Sequence, residues 1–405
     1  TLWNTTDLFH GTFIMSMALW GTVFGAIFAS YPSDYFGRKN TLVIIGFLYL
    51  ISALGSGLAT NPYMFSFFRF IGGIGVGVST VAAPTYVSEI APSNQRGKMV
   101  ALYQFNIVLG ILMAFVSNYF FRNFGNEPWR WMVGIEALPS ILYLIGVWTI
   151  PQSPRWLIIK KNKVKEAQKI FFDITKSDMP KRMLNKLISE QNDVHNQNLF
   201  IKKFSLPILL AFLFALFNQL SGINAFLYYA PRIFESAGLE SSSALLGTIG
   251  IGIANLIFTL LGLYLIDKAG RKLLMYIGSI GYIVSLSLVS LAFINSWEGF
   301  SVPLYLFIFI ASHAIGQGAV IWVFISEIFP NKLRAKGQSL GSSVHWILAA
   351  IITLVMPTAL SYFNNPGYVF IFFAFMMVLQ LFFVAFLMPE TKGISLEDLS
   401  EKLSS

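Results

Sequence analysis

Eleven apolar runs of roughly 20 residues, each long enough to cross ~30 Å of hydrocarbon as a helix, leave this chain few ways to fold. They lie near 8–31, 41–60, 64–87, 99–121, 131–150, 206–230, 244–266, 273–294, 303–326, 338–362 and 367–388 of its 405 residues. In lipid every backbone N–H and C=O must find its partner within the spanning structure, so runs of this length predict an all-α membrane protein. Composition agrees. Apolar residues make up 55% of the chain and charged ones only 12%, with a mean hydropathy of +0.65, outside the range of water-soluble domains.

The net charge of +9 would suit a nucleic-acid binder, but its placement argues otherwise. Nearly all of the 28 Lys and Arg fall in alternate loops, at 38–40, 96–98, 155–203, 268–272 and 332–336, and in the tail. Arg122, Arg130 and Arg232 sit at the opposite ends of spans, and Arg69 lies inside one. That asymmetry is the positive-inside pattern, so the basic loops and the carboxyl terminus are expected in the cytoplasm, with the chain multi-pass in the plasma membrane. The basic balance reports orientation, and no nucleic-acid partner is expected. There is no cysteine, which removes disulfide and thiol chemistry. No span carries paired carboxylates, a metal-ligand cluster or an activated nucleophile, so neither enzymatic chemistry, a metal nor a cofactor is expected.

Two charged signatures occur twice. Asp34-Tyr35-Phe36-Gly37-Arg38-Lys39 returns as Asp267-Lys268-Ala269-Gly270-Arg271-Lys272. Glu89-Ile90-Ala91-Pro92, with Arg96 behind it, returns as Glu327-Ile328-Phe329-Pro330, with Arg334 behind it. The duplication predicts two similar helical halves with a substrate site between them, the architecture of a secondary transporter. The expected division is a bundle over 1–150, a Lys-rich cytoplasmic linker of short helices over 151–204, a second bundle over 205–390 and a tail over 391–405. Within the linker, Ile170, Phe171, Leu184, Leu187 and Ile188 recur at helical spacing in the stretches Val164–Thr175 and Lys181–Gln191. Six spans follow residue 205 and five precede the linker. Overlaying the repeats aligns the first run here with the second span of the later half, so a further helix before Thr1 is expected; the alternative is an eleven-span chain with its amino terminus outside.

In this order the motifs resemble those of the sugar porter branch of the major facilitator superfamily. Further matches are Pro84-Thr85-Tyr86-Val87-Ser88-Glu89, Trp129-Arg130-Trp131-Met132, Pro151-Gln152-Ser153-Pro154-Arg155-Trp156, Gln219-Leu220-Ser221-Gly222-Ile223-Asn224 and Pro389-Glu390-Thr391-Lys392-Gly393. The resemblance covers nearly the whole chain. It implies two pseudo-symmetric six-helix bundles around a central cavity, of which eleven spans are present here. Arg38, Arg96, Arg271 and Arg334, at helix ends beside Glu89 and Glu327 and near Asp34, Arg155, Asp267 and Glu390, are expected to form partly shielded ion pairs. These would hold the two bundles together on the inner side until substrate binding breaks them; the alternative is that they only set topology. The family usually has Glu where Gln152 stands, and Glu390 occupies the equivalent place in the second half. A weaker or rearranged latch is therefore expected on the amino-terminal side.

For the substrate, the informative residues are amides inside spans, costly in hydrocarbon unless they find partners or line water. Gln104, Gln219, Asn224 and Asn255 qualify, and each amide both donates and accepts, which suits a polyhydroxylated ligand. The alternative is interhelical glue. Asn224 and Tyr228 share a helix face, while Gln219 stands about 140° away on an ideal helix. Gly222 is expected to relax the helix and turn both amides inward. The resemblance implies sugar contacts for Gln104, Gln219, Asn224, Asn255 and Trp322, and for Asn218, where many members carry Gln. It implies a cavity-lining Trp346, beside which His345 replaces a usual amide, and a gating helix with paired Tyr228 and Tyr229. His313, at a position often Phe, is either a cavity residue or a neutral histidine satisfied by a neighbouring helix. Ile111 stands where a xylose-type site would carry an amide, which favours a hexose.

Arg69 and Glu136 are ionisable groups inside spans and hence functional candidates. In proton-coupled sugar porters the Arg matching Arg69 pairs with an Asp on the first helix, and an acidic residue can occur where Glu136 lies. The expected function is transport of a monosaccharide, a hexose, by alternating access with proton symport. Facilitated diffusion and a non-transporting sugar sensor are the rivals. Expected partners are sugar, protons and lipid, with no obligate protein partner.

Overall fold

Apolar segments of this length close all their backbone hydrogen bonds only as helices, and among the described residues ten helices are long and apolar enough to cross a membrane. The computed structural model describes residues 9–90, 96–192, 199–297, 300–329, 333–363 and 365–394, with Trp3, Thr6, Leu399 and Leu403. No strand occurs among these residues. The amino-terminal half contains α1 (Met17–Phe28), α2 (Ser30–Tyr35), α3 (Arg38–Gly57), α4 (Pro62–Ile90), α5 (Arg96–Phe121), α6 (Pro128–Gly134) and α7 (Ala137–Thr149). The linker folds as α8 (Pro154–Lys161), α9 (Val164–Thr175) and α10 (Lys181–Asn192). The carboxyl-terminal half contains α11 (Ser205–Leu220), α12 (Ile223–Ser236), α13 (Ser241–Ala269), α14 (Arg271–Ile294), α15 (Ser301–His313), α16 (Ala319–Glu327), α17 (Arg334–Tyr362) and α18 (Gly367–Phe386).

The count of eleven continuous spans needs adjustment. The run at 8–31 is segmented into a π-turn at His10–Met15, α1 and α2. Ser16 N–H reaches back to Gly11 O instead of the carbonyl four residues before it, which widens the helix there. What holds α1 in place is its seam with α4. Gly21 and Gly25 face Gly73 and Gly77, and a Cβ on Gly21 or Gly73 would stand 2.1 Å from Phe70 O or 1.9 Å from Ala18 O. Lipid supplies no hydrophobic drive for helix pairing, so backbones brought this close supply dispersion contact instead.

The two halves are packed unequally. One continuous core runs through the carboxyl-terminal half, with Phe214, Phe226, Tyr282, Phe309, Phe324 and Phe370 fully buried. Its counterpart in the amino-terminal half is a smaller cluster around Leu42, Ile45, Val78, Ala82, Tyr86 and Val147. The halves meet where α1 lies against α17, with Leu19 and Val23 on Ala349 and Ala350, and where α5 lies against α13. In the linker, α9 and α10 both pack on α8 over Trp156, Leu157, Ala167 and Leu187. Ile188 departs from the expected apolar face. It stands about 100° from Leu187 around the helix and is exposed.

Candidate functional site

The helix crossing residues 205–236 breaks once, and the break carries the site. Gly222 adopts φ +84°, a left-handed conformation that L side chains rarely take, and separates α11 from α12. The turn brings Asn224 Nδ2 to 2.9 Å from Gln219 Oε1, although the two would diverge on an unbroken helix. Gln219 Nε2 in turn lies 3.1 Å from Asn218 Oδ1 and 3.1 Å from the His345 ring nitrogens. His345 packs between two indoles, its ring centroid 5.2 Å from that of Trp322 and 4.9 Å from that of Trp346. The amides, His345 and both tryptophans therefore form one group on α11, α12, α16 and α17. Asn255, one turn from Thr259 on α13, is buried and accepts from Thr259 Oγ1 at 3.4 Å. Gln104 Oε1 and Trp346 Nε1 are buried with no hydrogen-bond partner among the described residues. Two polar atoms so placed are what a polar ligand would satisfy.

Three candidates point elsewhere. Asn218 is buried and gives its Nδ2 to Gln317 Oε1 at 2.9 Å, so it faces the interior of the carboxyl-terminal half. His313 Nδ1 is 2.5 Å from the Tyr282 hydroxyl, which identifies it as a histidine satisfied by the neighbouring α14. The paired tyrosines separate: Tyr229 is buried and donates to Thr353 O at 3.0 Å, whereas Tyr228 reaches a cavity.

That cavity, about 660 Å³, is walled mainly by α1, α3, α4, α5 and α7 of the amino-terminal half, and Tyr228 and Trp346 of the other half complete its lining. Arg69, from α4, and Glu136, at the break between α6 and α7, pair across its wall at 3.2 Å with both side chains partly exposed to it. Reading the sequence missed Gln317 and Gln380, two fully buried amides behind the site. Both lie within apolar runs and satisfy the criterion that singled out Gln219 and Asn224.

At the basic end of the molecule the duplicated signatures build two matching clusters. In the first, Arg38 pairs with Glu89 at 3.0 Å and with Asp34 at 3.0 Å, and Ser153 Oγ donates to Glu89. In the second, Arg271 pairs with Glu327 at 2.8 Å and with Asp267 at 3.2 Å, and Thr391 Oγ1 donates to Glu327 at 2.6 Å. Each cluster ties together helices of the same half. The described pairs therefore do not bridge the two bundles as expected, because each Glu lies on the helix beside its own half's Arg. Arg155, the second residue of α8, has its Nε buried and unpartnered among the described residues. The side chains of Arg96 and Arg334 lie outside the described residues.

Glu390 adds a feature to the second cluster. Its carboxylate accepts from Arg271 N at 3.0 Å and Lys272 N at 2.9 Å, capping α14, and from Thr391 N and Lys392 N at 2.9 Å each. Burial by itself would raise its pKa, but the backbone donors of Lys392, Lys272, Arg271 and Thr391 together outweigh it and hold the carboxyl below its usual 4.5.

A family model described as "Sugar (and other) transporter" matches residues 6–403. Among curated relatives, the probable metabolite transport protein CsbC of Bacillus subtilis (strain 168) is 36% identical over 399 residues, covering 96% of this chain and 85% of its own. The D-xylose-proton symporter of Escherichia coli (strain K12) is 32% identical over 418 residues, covering 96% and 85%. The solved structure of the xylose transporter XylE from E. coli in a partially occluded inward-open conformation matches with a TM-score of 0.83 and 31% identity, over 96% of this chain and 89% of that one. Spanning both halves and every motif, these matches make the chain a multi-pass membrane protein of the sugar (and other) transporter family, with the major facilitator fold.

Proposed function

We propose that this protein carries a monosaccharide across the plasma membrane by alternating access, coupled to a proton, with its basic end and carboxyl terminus in the cytoplasm. The observation that carries the substrate is the cluster at the α11–α12 break: Gln219, Asn224 and His345 set between Trp322 and Trp346. Amides match sugar hydroxyls, which donate and accept, and indole faces match the apolar C–H faces of a pyranose. Ile111, an apolar residue on α5, favours a hexose over a pentose. Gln104, Asn255 and Trp346 complete the proposed site, and Tyr228, which lines the cavity, is its gating residue.

Coupling rests on Arg69 and Glu136. A proton delivered to the Glu136 carboxylate leaves a neutral acid and frees the Arg69 guanidinium, so the pair has two states that differ in charge inside one cavity. Tyr228, on the opposite half, lines the same cavity. Breaking the pair therefore changes the electrostatics at the boundary that must open and close. The proton returns to water when the cavity faces the other side.

The test is uptake of labelled D-glucose into proteoliposomes with and without an inward proton gradient. Accumulation above the external concentration, abolished by an uncoupler and by Glu136→Gln, is expected. Equilibration indifferent to pH would overturn the coupling. Uptake and binding unaltered in both Gln219→Ala and Asn224→Ala would overturn the site.

A further inference from the structure

Behind the cluster at the α11–α12 break runs a line of buried side chains that all point the same way. Asn224 Nδ2 donates to Gln219 Oε1 at 2.9 Å, Gln219 Nε2 to Asn218 Oδ1 at 3.1 Å, and Asn218 Nδ2 to Gln317 Oε1 at 2.9 Å. Gln317 Nε2 donates to Gln380 Oε1 at 2.5 Å, and Gln380 Nε2 to Ser279 Oγ at 2.8 Å. Ser279 Oγ closes the line on its own helix, donating to Met275 O at 2.7 Å. Gln219, Gln317, Gln380 and Ser279 are fully buried and Asn218 nearly so, on α11, the 314–318 π-turn, α18 and α14.

The direction of this line follows from its far end. An amide can present either its oxygen or its nitrogen, and its neighbours decide which. Ser279 has one proton and spends it on a backbone carbonyl, so toward Gln380 it can only accept. Gln380 must then turn its NH₂ to Ser279 and its oxygen to Gln317, and the same constraint passes through Gln317, Asn218 and Gln219 to Asn224. At the near end, on the α11–α12 break, the half-buried Asn224 commits its NH₂ to Gln219, and its Oδ1 makes no hydrogen bond among the described residues. Gln317 reaches the line from a π-turn, Ala314–Gly318, whose backbone is pressed on α14. A Cβ on Gly316 would stand 2.9 Å from the Cα of Gly278, one residue before Ser279.

We propose that Gln317, Gln380 and Ser279 are positioning residues for substrate recognition: they fix which face of each amide at the α11–α12 break meets the sugar, presenting Asn224 Oδ1 as an acceptor for a sugar hydroxyl. The inference rests on the substrate site proposed above. Cutting the line leaves the helices and their apolar core in place and frees Asn218, Gln219 and Asn224 to turn over. Recognition then weakens while the conformational cycle continues.

The experiment measures initial uptake of labelled D-glucose and D-xylose in proteoliposomes for Gln380→Met, Ser279→Ala and, as a control on the site, Gln219→Ala. For Gln380→Met and Ser279→Ala, the half-saturating concentration is expected to rise about tenfold, the worth of one misoriented amide bond, with maximal rate within about twofold. The preference between the two sugars is expected to narrow. An unchanged half-saturating concentration in the folded Ser279→Ala protein, or a loss of maximal rate alone, would overturn the proposal and leave these residues as interhelical packing. If Gln219→Ala also leaves sugar handling unchanged, the site itself is misplaced, a failure distinct from that of the positioning line.

Discussion

The clusters at the basic ends of the two halves share a plan and differ in strength. Each starts a long helix from a glycine with positive φ, Gly37 at +86° and Gly270 at +91°, followed by an arginine that reaches a glutamate on a neighbouring helix. The differences lie in how charge is used. Arg271 meets Glu327 as a fork, with Nε to Oε2 at 3.3 Å and an NH₂ group to Oε1 at 2.8 Å, whereas Arg38 places both nitrogens on the single oxygen Oε1 of Glu89. Glu390 caps α14 with a carboxylate taking four backbone N–H bonds. At the corresponding place on α3, Gln152 accepts one bond, from Lys39 N at 3.4 Å. A negative charge at a helix amino terminus meets both free N–H groups and the helix dipole, and a neutral amide meets only the first. Sequence duplication thus preserved the geometry of the joint while one residue type set its firmness.

Substitutions can break that comparison. Arg271→Ala should cost about 3 kcal/mol of stability and Arg38→Ala about 2 kcal/mol, since each strands a partly buried glutamate but only the first loses a bidentate pair. Thermal unfolding in detergent reads both, and equal losses would mean the fork contributes nothing. Next in size, Glu390→Gln should lose about 1–2 kcal/mol by exchanging charge-assisted bonds for neutral ones. Its mirror, Gln152→Glu, should gain up to about 1 kcal/mol by giving α3 the carboxylate it lacks. The smallest effect is in pH. The Glu390 carboxyl is held below 4.5 in the folded protein, so its contribution is full above the unfolded value and is lost as pH falls through the folded one. Melting temperature should therefore drop between pH 6 and the acid limit more steeply for the parent than for Glu390→Gln. Parallel curves would show that the cap carries no net charge effect.

Much of this is legible in the sequence alone. Long apolar runs left helices as the only solution, the doubled signatures placed two similar halves, and Gly222 marked where Gln219 and Asn224 come together. The replacement of Glu by Gln152 was visible as a departure from the pattern of its relatives. What was not legible depends on which helices become neighbours. Arg38 and Glu89 read equally well as a bridge between bundles or as a tie within one, and only packing places α4 beside α3. The same ignorance hid the Gln317–Gln380 line, because an isolated amide in an apolar run declares its need for a partner without naming it. Segmentation at His10–Met15 left no mark because a π-turn requires no special residue. Ile188 was misplaced by one residue, which on a helix is more than a quarter of a turn.

The seam of Gly21, Gly25, Gly73 and Gly77 has a mechanical consequence. Where backbone rests on backbone there is no rotamer left to flip and no gap to close, so α1 and α4 travel as one lever. Flexure must then be taken up where the ladder of backbone hydrogen bonds is already interrupted: at Pro84 below the seam, at Gly222, and at Pro357 in the α17 helix that α1 lies against. An assembly with one stiff arm and a few hinged joints has few paths along which to move.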